Sequence, residues 1–155
     1  MGHWQEVTKD LREPTRSLRH AIPEAIDALG GDSRVSALGD DAWAIFRGSA
    51  IGYVALIGGA EDEGDPVVHV SFPILRVPDT GAEPLYKRLL QLNHELGSLC
   101  SFSVDSRGKV WLGAARFAAD LEASSLRELI AQLAGLADRY DDQLLSEFGN
   151  HLAVS

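Results

Sequence analysis

Histidines, one cysteine, glycine clusters and carboxylates are the residues with which this chain could do metal or covalent chemistry. His3, His20, His69, His94 and His151 are spread along its length. None has a second histidine four residues on, the spacing that sets two imidazoles on one helix face to hold zinc. His94-Glu95 continues as Leu96-Gly97-Ser98, so there is no H-E-x-x-H string. Cys100 is the only cysteine, which excludes an intrachain disulfide and fits a cytoplasmic protein. It stands close to Phe102 with no basic neighbour in sequence to lower its pKa, so the expected role is a small buried hydrophobe. Gly48-Ser49 falls between two strand-patterned runs instead of on a strand-to-helix turn, and reads as a hairpin loop rather than a nucleophile elbow. Gly58-Gly59 runs into acidic residues that would repel a phosphate. The loop Glu61-Asp62-Glu63-Gly64-Asp65 lacks the alternating ligands and distal bidentate Glu of a calcium loop. These residues point to no catalytic residue, no metal, no cofactor and no enzyme.

The aromatics carry more information. Trp43, Tyr53, Phe72, Trp111 and Phe117 all fall on strand-patterned segments. Most should be core, where aromatics bury the largest areas. Alternation prevents all of them from being so, because Trp111 and Phe117 point opposite to Val110 and Leu112. Apolar bulk therefore lies on both sides of the sheet. One side should meet the helices, and the other should be a binding surface or be covered by a second subunit. Trp43, Tyr53 and Trp111 are the candidate exposed anchors for a partner protein, since rigid aromatics dominate interface energetics.

The elements that would position them follow from periodicity. The 155 residues, with 45% hydrophobic and 24% charged, suit one domain over 1–155. No apolar run approaches the roughly 18–20 residues that span a membrane. The first residues have no basic and apolar leader, again favouring the cytoplasm. Lys plus Arg number 14 against 23 Asp plus Glu, a net charge of −9. That argues against direct nucleic-acid binding, which needs a basic stripe to displace counterions. Residues 1–14 are expected to be mobile or to form a short extra helix. Leu18, Ile22, Ala25, Ile26 and Leu29 then recur at helical spacing before Gly30-Gly31.

Trp43–Arg47, Ala50–Ile57 and Val67–Ile74 read as strands, with Arg34–Leu38 as a candidate shorter one. Pro73 places its strand at an edge or a bulge. A second helix carries Leu85, Leu89, Leu92 and Leu96, with Thr80 and Glu83 at capping-box spacing and Pro84 as an alternative start. Cys100–Asp105 and Lys109–Phe117 form a hairpin. The last helix repeats Leu126, Ile130, Leu133, Ala137, Tyr140, Leu144 and Phe148 on one stripe, with Ser125 and Glu128 at capping-box spacing. The expected fold is α+β: an antiparallel sheet of about five strands with three helices on one face, in the order α-βββ-α-ββ-α.

Leu89-Leu90-Gln91-Leu92-Asn93-His94-Glu95-Leu96, then Phe102-Ser103-Val104-Asp105-Ser106-Arg107-Gly108-Lys109-Val110-Trp111-Leu112, then Asp120-Leu121 and Ala137-Asp138 resemble the YbjN-type family. That family is similar to the type III secretion chaperone (CesT-like) fold, whose element order matches the one above. The resemblance covers about residues 81–148 and extends to the first half by element order alone. It implies a small cytoplasmic homodimer without enzymatic activity that binds a protein partner, as a chaperone-like adaptor or regulator. The broken N-terminal segment, with Pro14 and Pro23, departs from the simple first helix of such chaperones. A small-molecule-sensing domain, with a pocket between sheet and helices, is the alternative function.

Overall fold

A computed structural model describes residues 18–31, 33–47, 50–58 and 64–149. The N-terminal segment 1–14, the Gly48-Ser49 loop and most of the acidic loop lie outside them.

Alternating apolar residues set the strands: β1 (Ser33–Ala37), β2 (Ala42–Arg47), β3 (Ala50–Ile57), β4 (Val67–Arg76), β5 (Ser101–Val104) and β6 (Lys109–Phe117). They form one antiparallel sheet in the order β1-β2-β3-β4-β6-β5. Helix α1 occupies residues 18–27, α2 Glu83–Leu96 and α3 Ala123–Phe148. The order is thus α-ββββ-α-ββ-α. The expected count of about five strands is corrected to six. The sixth is β1, Ser-Arg-Val-Ser-Ala, in which Val35 alone packs against the core. Its ladder to β2, from Ser33↔Arg47 to Ala37↔Trp43, holds it in place of an apolar pattern.

The connection from β4 through α2 carries the chain to the far edge, and β6 folds back between β5 and β4. Pro73 therefore sits in a central strand, not at an edge. The missing N–H is accommodated by a bulge between Pro73 and Leu75, where the successive residues Ile74 and Leu75 are both buried. At Gly52 a side chain would run into the Phe72 ring, so glycine there lets the ring lie across β3.

One side of the sheet carries Val54, Val68, Val70, Phe72, Val110 and Leu112, all buried. Ile22 and Ile26 of α1, Leu85 and Leu92 of α2, and Ile130 and Leu144 of α3 join them in a single core. The α3 stripe is therefore the one its periodicity predicts. Phe102 and Tyr140 meet edge-to-face, with ring centroids 5.4 Å apart, and tie β5 to α3. Helix α1 runs through Pro23 and ends before Gly30 and Gly31, both at positive φ. Neither expected capping box forms. Helix α2 starts after Ala82 with proline in its first turn, α3 starts after Glu122, and neither has a side-chain cap.

Candidate protein-binding surface

The other side of the sheet is covered by no described helix. Cross-strand register assigns its side chains. Ser36, Ala44, Tyr53, Ser71 and Gly113 lie in one row, and Ala42, Ala55, His69 and Ala115 in the next. Phe46 with Ile51, and Pro73 with Trp111, flank them at one end, and Ile57, Val67 and Phe117 at the other. Apart from Tyr53 and His69 the central rows are built of small residues, and apolar bulk stands at their two ends. Gly113 keeps the middle low: a side chain there would press on the Val70 carbonyl and the His69 imidazole. Ile51 is 41%, Ile57 56% and Phe117 57% exposed. An apolar face of this breadth is the kind of surface a soluble chain covers with a partner.

Trp111 is the most tightly held aromatic on this face. Its Nε1–H donates to Asp105 Oδ2 at 3.0 Å, while Asp105 Oδ1 accepts the backbone N–H groups of Arg107 (2.8 Å) and Lys109 (3.0 Å). One carboxylate thus closes the β5–β6 hairpin and pins the indole. These bonds, from Trp111 first and then from Lys109, hold the Asp105 carboxyl below the usual carboxylate range. Tyr53 meets Trp111 edge-on at 5.7 Å between ring centroids, and Lys109 Nζ lies 5.5 Å from the indole centroid. Two of the expected anchors, Tyr53 and Trp111, are therefore in contact on the uncovered side and half-buried. The third is a correction. Trp43 is 4% exposed, because its position opposite Val54 turns it toward the helices and into the core.

The two sheet edges differ. At β5, the Asn93 side chain of α2 accepts the Phe102 N–H at 2.6 Å and donates to the Phe102 carbonyl at 3.1 Å. It behaves as a neighbouring strand would and closes that edge. Nothing in the sequence pattern distinguishes Asn93 from a solvated helix position, and Asp105 likewise reads as an ordinary turn residue until register places Trp111 beside it. At β1 the outer edge meets no described strand. Leu38 N–H bonds to the Ala42 carbonyl. Ladder alternation then turns the N–H and C=O groups of Val35 and Ala37 outward, while the Ser33 N–H is taken by the Gly30 carbonyl. A further apolar patch lies on α2, where Tyr86 and Leu90 share a face and Leu90 is 69% exposed.

A cleft of about 510 Å³ lies between the end of β6 and the start of α3, lined by Leu99, Arg116, Phe117, Leu121 and Leu129, with Asp120 and Glu128 also in its wall. Arg116 spans it, donating to the Ala115 and Leu99 carbonyls at 2.9 Å each. Cys100 is buried, and that burial pushes its thiol up, away from a reactive thiolate. No group of three His, Cys, Asp or Glu side chains among the described residues could hold a metal ion. No described helix is long and apolar enough to cross a membrane.

Residues 16–154 match the model of a family described as T3SS (YopN, CesT) and YbjN peptide-binding chaperone 1. The chain belongs to that family of type III secretion and YbjN chaperones. Among solved structures it is similar to a chain of the ExsC–ExsE complex, with a TM-score of 0.62 and 18% identity over 83% of this chain and 93% of that one. It is similar to a chain of the HopA1–SchA chaperone–effector complex, with a TM-score of 0.58 and 10% identity over 83% and 97%. A chain of the heterodimeric ExoU–SpcU complex of the Pseudomonas aeruginosa type III secretion system gives 0.54 and 18% over 78% and 95%. At these identities the likeness is one of fold. No curated protein matches the sequence.

Proposed function

We propose that this protein is a non-enzymatic, cytoplasmic chaperone-like adaptor that binds an extended segment of a partner protein and works as a homodimer. The observation that carries the reading is the uncovered sheet face, with Trp111 pinned by Asp105 and packed on Tyr53. A side chain already fixed in place loses little freedom on binding, which is what an interface anchor requires. The β1 edge, which meets no described strand, supports strand addition, with side chains of the added strand reaching onto the same face. The ExsC–ExsE and HopA1–SchA structures are complexes, the second of a chaperone with an effector, which favours a polypeptide partner here as well.

The homodimer is supported by Tyr86 and Leu90, apolar, exposed and adjacent on α2. The test is affinity isolation from the native host, with mass spectrometry and light scattering on the eluted complex. A single stoichiometric protein held by a dimer, and lost with Trp111→Ala, supports the adaptor. A clean dimer that never acquires a partner argues against it.

One observation favours a second reading, a small-molecule sensor. The cleft at Arg116 has the volume of a ligand site, which typically falls at about 300–1,000 Å³. A saturable thermal shift with a metabolite in the absence of protein partners would select it.

A further inference from the structure

The six strands contain no Asp or Glu, although the chain has 23 of them and a net charge of −9. Their charged residues are all basic: Arg34, Arg47, Arg76, Lys109 and Arg116, with His69 in addition. Register divides these between the two sides of the sheet. Arg34 lies opposite Phe46, Arg76 opposite Lys109, and His69 between Ala55 and Ala115, all on the uncovered face. Arg34 lies against the Phe46 ring at 5.9 Å and Lys109 against Trp111 at 5.5 Å, so both cations stand beside the apolar surface. No described carboxylate forms an ion pair with Arg34, Arg76 or Lys109. Asp105 also reaches this face: its oxygens accept from Trp111 and two backbone N–H groups, and its charge interacts with Lys109, so that of Arg76 and Lys109 it is Arg76 that has no described acidic partner.

The charge also has a direction. Arg34, Arg76 and Lys109 gather at the Ile51–Pro73–Trp111 end. Asp120 and Glu128 stand at the opposite end, around Phe117.

We propose that the uncovered face recognises an extended partner segment in which acidic side chains are interleaved with apolar ones, the carboxylates lying over Arg76 and Lys109. This rests on the protein-binding reading above and names the chemistry of the partner. Apolar side chains of such a segment fill the low centre around Gly113 against Tyr53 and Trp111. Its carboxylates meet the cations, and a basic segment would bring like charges together there. The negative charge of the whole chain does not reverse this. It is screened within about 8 Å at physiological salt, so the field of the face itself decides at contact. A polyanion such as nucleic acid fits poorly, having no apolar side chains for the centre and many phosphates to set against the acidic helices and loops.

The test uses the full-length chain, labelled with 15N, and three synthetic 12-residue peptides. They share one alternating apolar pattern and carry Glu, Gln or Lys at the intervening positions. Exposed ion pairs change affinity by a few-fold each, so two or three should give the Glu peptide about a tenfold advantage over the Gln peptide. The Lys peptide should be the weakest. Amide shifts should map to β3, β4 and β6, and the advantage should fall to near parity in the double variant Arg76→Gln/Lys109→Gln. Equal or tighter binding of the Gln or Lys peptide to the same amides overturns the acidic preference and leaves protein binding standing. Failure of all three to shift that face overturns both. Concentration-dependent shifts of those amides without peptide mean that a second copy occupies the face, and overturn the proposal.

Discussion

Replacing Asn93 by alanine tests how the last edge of the sheet is closed. The amide makes two hydrogen bonds to the Phe102 backbone, 2.6 Å from N–H to Oδ1 and 3.1 Å from Nδ2 to the carbonyl, at a partly buried site. Each neutral hydrogen bond contributes about 1 kcal/mol net, and a stranded buried partner adds to the loss. Alanine returns about 0.5 kcal/mol through its higher helix propensity. The expected net destabilisation is about 2 kcal/mol, since water can reach β5 and repair part of the loss. In a domain of this size that lowers Tm by about 4–8 °C. Urea unfolding and a thermal scan measure the loss, and amide hydrogen exchange at Phe102 localises it. Gln91→Ala, exposed on the same helix, is the control and should stay within about 0.5 kcal/mol. Asn93→Asp keeps the acceptor but sets a carboxylate oxygen against the Phe102 carbonyl, so it should cost at least as much as alanine. Loss below 0.5 kcal/mol for Asn93→Ala with unchanged Phe102 exchange would refute the strand-like role of this amide.

The two tryptophans should separate cleanly. Trp43→Ala empties a core position and should cost about 3–5 kcal/mol in chemical denaturation, whereas Trp111→Ala should leave the fold intact and weaken partner binding; equal destabilisation would remove the distinction. The folded-state pKa of Asp105 is depressed, so its contribution is present above the unfolded value of about 3.9 and is lost as pH falls through the folded value. The Trp111 Nε1–H resonance should therefore stay constant down to about pH 4 and move only below it; a midpoint above that, or the same profile in Asp105→Asn, would contradict the pinning. Asp141 has the opposite sign: burial, then Asp142 and Asp138, raise its pKa. Asp141→Asn should raise Tm at pH 7, with the gain disappearing in acid where the unfolded carboxylate is also protonated. Leu90→Glu should convert the proposed dimer to a folded monomer in sedimentation, with Tm falling by no more than the lost association accounts for, and a surviving dimer would move the interface away from α2.

The large features were legible because they are periodic. The α3 stripe from Leu126 to Leu144 and the alternation in β4 each bury the residues their spacing marks. β1 escaped a firm reading because one packed residue, Val35, gives no period. Trp43 was misplaced for a related reason. β2 is apolar on both faces, with Trp43 and Ile45 on one and Ala44 and Phe46 on the other, so alternation alone cannot tell which pair meets the helices. Only the register to Val54 settles it. The roles of the polar devices were not legible, although Asn93 and Asp105 stand in the strings that carry the family resemblance. Asn93 and Asp105 act through partners nine and six residues away, across a helix–strand junction and a hairpin, and their types are ordinary for helix surfaces and turns. The basic bias of the uncovered face likewise appears only when strands are sorted from the acidic helices and loops.

The most direct test of the account is a selection of random 12-residue peptides against the full-length chain, followed by titration of the enriched sequences into wild type and Trp111→Ala. Binding to wild type should be saturable and weakened at least about tenfold by Trp111→Ala, as expected for an anchor residue, while Tm is retained. No enrichment over background, or binding indifferent to Trp111, would contradict the claim that this sheet face holds a polypeptide.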